Sequence, residues 1–280
     1  MKKIFFVIII ISFLLGFSYF SRYKLLLVSN SYNYRVEEPG GGAEEIELLT
    51  YNIQRGIGLD GKLDLERTAT VIKESGADII GLNEVDFRTT RSGLINQAKY
   101  LAEALEMNYA YGASISNYIG SYGNALLSRY PIVDVENFIL PALEASGGEK
   151  RSLLKARLEL SRDKSIIILL THLSLNREER REQIRWINQY LAELREPFIL
   201  MGDFNTEAQE VLKYIQEENS TLVSLVDGVK TYPVPVPIKG IDLYFSDERV
   251  RVLEAGALES PASDHLPLYL KIKLSAENKA

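Results

Sequence analysis

The chain has 280 residues, 46% of them apolar, and a formal net charge of −6 at pH 7. This length fits one large domain or two small ones, and the apolar residues suffice for a sizeable core. The absence of cysteine excludes disulfides, thiolate metal ligands and a cysteine nucleophile, and the presence of only two histidines excludes a histidine-rich metal site. Residues 46–280 hold 27 basic and 34 acidic residues, so this part of the chain has no general electrostatic attraction for a polyanion.

The N-terminal residues 1–24 carry a basic start followed by an apolar stretch from Ile4 to Phe20. A stretch of about 17 apolar residues after a basic start predicts export or membrane insertion. We favour a retained single-pass anchor in the cell membrane with an extracytoplasmic domain. The alternative is a signal segment, cleaved near Gly16-Phe17-Ser18, and a secreted protein. Residues 25–45 are predicted to be a flexible linker, because 29–45 lack apolar periodicity and contain a Pro-Gly-Gly-Gly run, although 25–28 are apolar.

Strands and helices alternate through one domain, residues 46–274, and residues 275–280 form a polar tail. Apolar runs predict strands over 46–51, 77–82, 123–128, 132–140, 152–160, 166–170, 198–201, 241–245, 249–255 and 266–274. Helical periodicity covers 63–74, 97–106, 177–194 and 208–216, and prolines make 233–237 a stiff loop. The mixed charges on the helix at 177–194 indicate a solvated face. Because several strands follow one another directly, two packed sheets with outer helices are favoured over a doubly wound parallel sheet.

Polar residues follow the buried strand at 198–201 in a compact pattern. Gly202 permits a sharp change of backbone direction, and Asp203 and Asn205 are two residues apart, so both side chains can point the same way. An acid and an amide at a strand end suit a site that handles a metal, a water or a phosphate. A simple turn is the alternative, because Gly, Asp and Asn are turn formers.

Similar polar residues end other strands along the domain. They are Asn52, Glu84, His172, Asp242 and the pair Asp264-His265, which together use both histidines of the chain. One polar strand end is uninformative, whereas six such ends predict that the strands converge on a single cleft.

The chain resembles the endonuclease/exonuclease/phosphatase superfamily of metal-dependent phosphoesterases. The matching segments occur in the superfamily's order and span almost the whole domain: 50–53, 81–85, 123–129, 171–173, 202–205, 241–244 and 263–265. The resemblance implies a DNase I-like α/β fold, a four-layer α/β/β/α sandwich of two packed mixed β-sheets flanked by helices. It also implies hydrolysis of a phosphodiester by water with Mg²⁺ or Mn²⁺. One departure is Asn83, where many members carry glutamine; this shortens a supporting side chain and leaves the metal ligand intact.

The resemblance also implies roles for individual residues. The implied metal residues are Glu84, Asn52 and Asp264, although Asp264 is also compatible with a role beside the histidine. Asp203 orients or deprotonates the attacking water, and Asn205 binds a phosphate oxygen or steadies that water. His265 donates to the phosphate while Asp242 keeps it protonated, since a nearby carboxylate favours imidazolium.

The remaining implied residues surround the phosphate. His172 protonates the leaving oxygen, with a purely structural histidine as the alternative. The implied phosphate contacts are Asn52, Asn124, Tyr122 and Arg151, and a solvated strand start is the alternative for Arg151.

The residues above do not choose among the superfamily's substrates, which include DNA, RNA, inositol phosphates and sphingomyelin. The acidic domain, the short loops and the N-terminal segment favour a small or lipid-derived phosphodiester. A membrane-tethered or secreted deoxyribonuclease is the alternative, with nucleic acid as a substrate only. A phospholigand-binding module is the non-enzyme alternative. No motif indicates an oligomeric state.

Overall fold

The apolar runs form two mixed β-sheets in the computed structural model, which describes residues 30–32, 45–116, 118–143, 148–216 and 222–274. The strands are β1 Asn30–Tyr32, β2 Ile46–Asn52, β3 Ile79–Phe87, β4 Asn108–Ser116, β5 Ser121–Ser128, β6 Ile132–Ile139, β7 Ser152–Ser161, β8 Lys164–His172, β9 Phe198–Asp203, β10 Val223–Ser224, β11 Asp242–Ser246, β12 Val250–Ala257 and β13 Leu268–Leu274. The helices are α1 Leu65–Ser75, α2 Gln97–Leu105, α3 Arg177–Leu191 and α4 Ala208–Gln216.

The first sheet has seven strands in the order β1-β4-β5-β3-β2-β13-β12, and the second has six in the order β10-β11-β9-β8-β7-β6. Most neighbours are antiparallel, while β2–β3 and β8–β9 are parallel. The strand β13 lies between β2 and β12, so strands far apart in the sequence are neighbours in the first sheet.

Alternating side chains divide the core into three apolar layers. Leu48 and Ile79 face the second sheet and pack with Leu170 and Met201, whereas the next residues along the strands face outward. On the outer face of the first sheet, Leu49 and Ile80 pack with α1 and α2. On the outer face of the second sheet, side chains of α3 and α4 cover β8, β9 and β11. Strands that are buried on both faces appear in the sequence as continuous apolar runs. The predicted four-layer α/β/β/α fold is confirmed.

Some element boundaries differ from the predicted ones. α1 begins at Leu65 because the carboxylate of Asp64 accepts a hydrogen bond from the Arg67 amide at 2.9 Å and caps the helix. α3 ends at Leu191, three residues before the predicted end. No strand was predicted at β4, and three residues of the predicted linker form β1 at the edge of the first sheet. The predicted segment 1–24, the tail 275–280 and the rest of the linker lie outside the described residues, apart from residue 45.

The register of the strands brings their polar ends to one end of both sheets. Asn52 pairs with Asn83 in the first sheet, and His172, Asp203 and Asp242 pair in sequence across β8, β9 and β11 in the second. We call this end of the molecule the site end. Among the described helices, none combines the length and the apolar character needed to cross a bilayer.

Candidate active site

The backbone at the end of β9 requires a glycine immediately before Asp203. Gly202 has a φ of +134°, and a Cβ at this position would lie 1.9 Å from the carbonyl oxygen of Thr171 on β8. No side chain fits in that space. The close approach of β8 and β9 places the buried Asp203 beside His172, with 3.4 Å between the Asp203 carboxylate and His172 Nε2. Asn205 follows at a positive φ of 53°, and its amide N–H donates to Asp203 Oδ1 at 2.9 Å.

A bulge in β3 directs Glu84 toward Asp203. The register between β3 and β5 shifts between Leu82 and Val85, and Glu84 has a positive φ of 59°. Residues other than glycine rarely adopt this backbone conformation, and those that do are concentrated at functional sites. The bulge lets Asn52 Nδ2 donate to both acids, to Glu84 Oε1 at 3.2 Å and to Asp203 Oδ2 at 3.0 Å. One amide therefore links an acid of the first sheet to an acid of the second.

Asn83 joins the two sheets behind these acids and is completely buried. Its Oδ1 accepts from the backbone N–H of Asp203 at 2.9 Å. Its Nδ2 donates to the Thr171 carbonyl oxygen at 3.0 Å and to Asn124 Oδ1 at 2.9 Å. The residue that departs from the superfamily pattern thus holds the Asp203 backbone with its Oδ1 and the Thr171 backbone and Asn124 with its Nδ2.

A second cluster surrounds His265. Its Nδ1 lies 2.8 Å from Asp242 Oδ2, and the Thr231 hydroxyl donates to the same oxygen at 2.5 Å. The Tyr232 ring packs against the imidazole with 4.6 Å between centroids. Burial opposes the charged imidazolium, but Asp242, Asp203 and Asp264 outweigh it and raise the pKa of His265 to about 10. The free site therefore presents a positively charged His265 at neutral pH.

His172 has the opposite charge state. Burial lowers its pKa to about 3 and outweighs the attraction of Asp203, while Arg151 and His265 lower it further. In the free site His172 is neutral at neutral pH and has no extra proton to donate. The predicted role as a general acid therefore requires that a bound phosphate first stabilise the imidazolium.

The donor set on the Glu84 side fits a hard divalent cation. Burial raises the pKa of Glu84, and Asp203 and Asp264 raise it further against the hydrogen bond from Asn52 and the charge of Arg55. Adjacent carboxylates are ligands that Mg²⁺ prefers, and a cation would relieve their repulsion. Asn52 Oδ1 already accepts from the Gln54 N–H at 3.1 Å, so Asn52 would offer a cation the second lone pair of that oxygen. Asp203, Asp242 and His265 also bring ligand atoms within 4.8 Å of one another. That trio is a poorer cation site, because His265 is protonated there.

Of the other predicted phosphate contacts, Arg151 and Tyr122 lie beside the site residues, whereas Asn124 lies behind the acids. Arg151 is buried near Tyr122 and His172, and it influences the pKa of both. Tyr122 is half-buried near Glu84, and burial raises the pKa of its hydroxyl. Asn124 is buried behind the acids, where its amide contacts Asn83 and donates to the Ser152 carbonyl oxygen at 3.3 Å. The structure therefore gives Asn124 a supporting position and not one that faces the cleft.

Several contributing residues were not predicted from the sequence. Gln54 Nε2 donates to Asp264 Oδ2 at 3.2 Å, and both Gln54 and Arg55 have positive φ angles. They closely follow Asn52, so their place after a polar strand end was an available signal. Thr231 and Tyr232 contact the Asp242–His265 pair from a loop, and no local pattern distinguishes them.

Comparisons with known proteins agree with this geometry. Residues 45–228 match the family model described as the PGAP2IP C-terminal nuclease-like domain. The protein YbhP of Escherichia coli K12 is 28% identical over 253 residues, covering 81% of this chain and 96% of YbhP.

Two solved structures share the fold. An endonuclease/exonuclease/phosphatase from Beutenbergia cavernae has a TM-score of 0.68 at 23% identity and covers 85% of this chain and 74% of its own. The D. rerio TDP2 structure with a single-strand DNA product has a TM-score of 0.62 at 15% identity and covers 82% of this chain and 100% of its own. The family match includes strands of both sheets together with Glu84 and Asp203, and the chain belongs to the PGAP2IP C-terminal nuclease-like family of the endonuclease/exonuclease/phosphatase superfamily.

Proposed function

We propose that the protein hydrolyses a phosphodiester with a water molecule, assisted by a divalent cation, Mg²⁺ or Mn²⁺. Members of the superfamily are hydrolases that act on phosphoesters. The observation that carries the proposal is the contact of one Asn52 amide with Glu84 and Asp203, at 3.2 and 3.0 Å. It supports a single site built from both sheets, with the cation residues on one side and the residue that handles water on the other.

The cation would be held by Glu84, Asn52 and Asp264. When bound, it would supply positive charge to the phosphate and lower the pKa of a coordinated water. Asp203 accepts a proton from the attacking water or orients it. Its position is fixed by Asn83, which accepts from its backbone N–H, and by Gly202, which permits the close approach of β8.

His265 would contact a non-bridging phosphate oxygen. Negative charge grows on these oxygens in the transition state, so a fixed imidazolium lowers the barrier. Asp242 orients the ring and sustains its charge through the 2.8 Å contact with Nδ1. His172 would face the leaving oxygen and Arg151 the phosphate. The phosphate charge would raise the pKa of His172 into a range where it can donate a proton.

The favoured substrate is a small or lipid-derived phosphodiester. The acidic charge of residues 46–280 and the apolar N-terminal segment support this choice. The alternative is a membrane-tethered or secreted nuclease, and the shared fold with D. rerio TDP2, whose structure holds a single-strand DNA product, favours it. A phospholigand-binding module without hydrolysis remains the non-enzyme alternative, against which the complete set of acids and histidines argues.

The test measures hydrolysis of bis-p-nitrophenyl phosphate with Mg²⁺, Mn²⁺ or EDTA. We expect metal-dependent cleavage by the full chain and no cleavage by Glu84→Ala. The matched control Glu159→Ala should cleave normally, because it removes an acid near the end of β7 that is remote from the site end. Asp203→Asn should abolish hydrolysis and retain binding of the substrate. Equal activity of Glu84→Ala and the wild type would refute the assignment of the site. The same assay with supercoiled DNA and sphingomyelin separates the two substrate classes.

The proposed location is the cell membrane, with residues 1–24 as a single-pass anchor and an extracytoplasmic domain. Secretion after cleavage is the alternative. N-terminal sequencing of the protein from the membrane fraction distinguishes them, because a chain that starts at Tyr19 has lost the anchor.

A further inference from the structure

The most exposed apolar side chains of the described residues are concentrated at the site end. Six large hydrophobic side chains are more than half exposed: Leu94, Tyr118, Ile119, Leu175, Val236 and Ile238. All six lie on loops that follow or precede strands at the site end, and we call them the apolar rim. Single exposed hydrophobic residues are ordinary, but a group of them around one opening marks an interaction surface.

The apolar rim flanks the candidate active site on two sides. On one side, Leu175 follows His172 by three residues. On the same side, the loop of Val236 and Ile238 contacts the site twice. Its Tyr232 packs on His265, and its Val234 N–H donates to the Asp264 carbonyl oxygen at 2.9 Å.

The opposite side of the rim lies beyond Glu84. The loop of Tyr118 and Ile119 packs against the end of β3, where a Cβ at Gly120 would lie 2.5 Å from the carbonyl oxygens of Phe87 and Arg88. Leu94 is on the loop that follows the same strand. A flat surface that touched both sides of the rim would therefore cover the opening of the site.

The charge at the site end excludes an electrostatic grip on a polyanion. The described loop segments here are 53–64, 88–96, 118–120, 140–143, 148–151, 173–176, 204–207, 225–241 and 258–267. Together they hold seven acidic and eight basic residues besides His265, so their charges nearly balance. Protein surfaces that bind nucleic acid are strongly basic, because neutralising the phosphates supplies most of the binding energy. A neutral surface with apolar tips fits a partner that is itself apolar beneath a headgroup layer.

The strand β1 runs away from the site end. β1 runs antiparallel to β4, and Asn30 pairs with Tyr111 while Tyr32 pairs with Tyr109. Because β4 runs toward the site end, Asn30 is the end of β1 nearer to the site end. The apolar sequence from Ile4 to Phe20 precedes this strand in the chain.

We propose that the apolar rim docks on a phospholipid bilayer, so that the site acts on a phosphodiester in a lipid headgroup. This inference rests on the proposed phosphodiesterase function and specifies its substrate class. The rim side chains enter the interfacial layer around the opening, and the acids between them meet the headgroups. A protein surface or a duplex nucleic acid would be a different occupant, and the experiment distinguishes them.

The docking is tested with tryptophan variants of the full chain, reconstituted in phosphatidylcholine vesicles with and without brominated acyl chains. Leu175→Trp places the reporter on the rim. The matched control Val133→Trp replaces an exposed residue at the far end of β6, about 20 Å from the site end at 3.3 Å per strand residue. The native Trp186 is buried and supplies a constant background. We expect brominated lipid to quench at least about half of the emission that Leu175→Trp adds and to leave the Val133→Trp emission unchanged.

A second pair of variants tests whether the apolar rim is needed for hydrolysis of a lipid in a bilayer. Leu175→Ser combined with Val236→Ser and Ile238→Ser should lower hydrolysis of vesicle sphingomyelin, relative to soluble bis-p-nitrophenyl phosphate, by about tenfold or more. The control combines Val133→Ser, Val223→Ser and Leu253→Ser, which are exposed residues outside the site-end loops, and should keep the wild-type ratio.

The outcomes separate the two proposals. Equal quenching at both reporters, or none at Leu175→Trp, overturns the docking even if soluble substrate is cleaved. Normal quenching with no cleavage of any phosphodiester overturns the proposed function. If the triple serine variant loses cleavage of supercoiled DNA and Leu175→Trp shows no lipid quenching, nucleic acid is the occupant and the bilayer is refuted.

Discussion

Replacing Asn83 by leucine tests whether one buried amide holds the two sheets in register at the site. Leucine has nearly the same shape, so packing is preserved while the polar contacts disappear. Three buried groups then lose a partner: the Asp203 N–H, the Thr171 carbonyl oxygen and Asn124 Oδ1. Each unsatisfied buried group costs about 1–3 kcal/mol. With shared relaxation, we expect a loss of about 3–5 kcal/mol from a total stability that is typically about 5–15 kcal/mol.

The effect on catalysis follows from the position of Asp203. Without the acceptor at its backbone N–H, the carboxylate shifts relative to Asn52 and His172. A displacement of about 1 Å at a reacting group can cost about 100-fold in rate. We therefore expect kcat for bis-p-nitrophenyl phosphate to fall by about that factor at a temperature where the variant is still folded.

The assay combines urea unfolding with steady-state kinetics for Asn83→Leu and a control, Asn108→Leu. Asn108 is also buried and donates to the Tyr130 carbonyl oxygen at 2.9 Å, but it lies at the far end of β4. The control should lose stability and keep its kcat. If Asn83→Leu also keeps its kcat while losing stability, Asn83 only supports the fold, and the link between this amide and catalysis is refuted.

Three further predictions concern individual residues. Gly202→Ala should lower the melting temperature far more than Gly228→Ala, because an added Cβ meets the Thr171 oxygen at 1.9 Å in the first case and nothing within 4 Å in the second; equal melting temperatures in differential scanning calorimetry would contradict this. The pKa of His172 falls from 6.5 to about 3 on folding, so its contribution to stability is present above pH 6.5 and lost as pH falls toward 3. At about 1.4 kcal/mol per pKa unit this is at most about 5 kcal/mol, and His172→Gln should flatten the acid limb of a urea stability profile; an unchanged limb would refute the shift. The pKa of His265 is raised to about 10, so its contribution is fully present below pH 6.5 and lost as pH rises through about 10. In an NMR titration Asp242→Asn should lower that pKa by at least about 2 units, and a value that stays near 10 would show that Asp242 is not its cause.

The fold was predictable because both sheets are buried on two faces. Strands such as Phe198–Asp203 read as unbroken apolar runs, and their polar ends are visible directly in the sequence. β4 was not predicted, since Gly112 and the polar residues around it weaken the apolar pattern. Its pairing with β5 and its contacts inside the sandwich determine its structure. Tertiary contacts override local propensity in such segments.

The candidate site was predictable as a set of residues and not as a geometry. The polar ends named Glu84 and Asp203, but the bulge that turns Glu84 toward Asn52 appears only in the register between β3 and β5. The position of Asn124 behind the acids and the neutral state of His172 depend on burial and on neighbours far away in sequence. Such properties belong to the packed structure, so no local pattern predicts them.

The place of β13 between β2 and β12 has a consequence for biosynthesis. A ribosome releases the chain from its N-terminus, so β2 and β3 emerge long before the strand that flanks β2 on its other side. His265 also emerges late, only three residues before Leu268, where β13 begins. A nascent chain therefore lacks both the imidazolium and the strand that completes the first sheet until residues 265–274 have emerged. The proposed hydrolytic activity would then start only after Leu274 has left the exit tunnel.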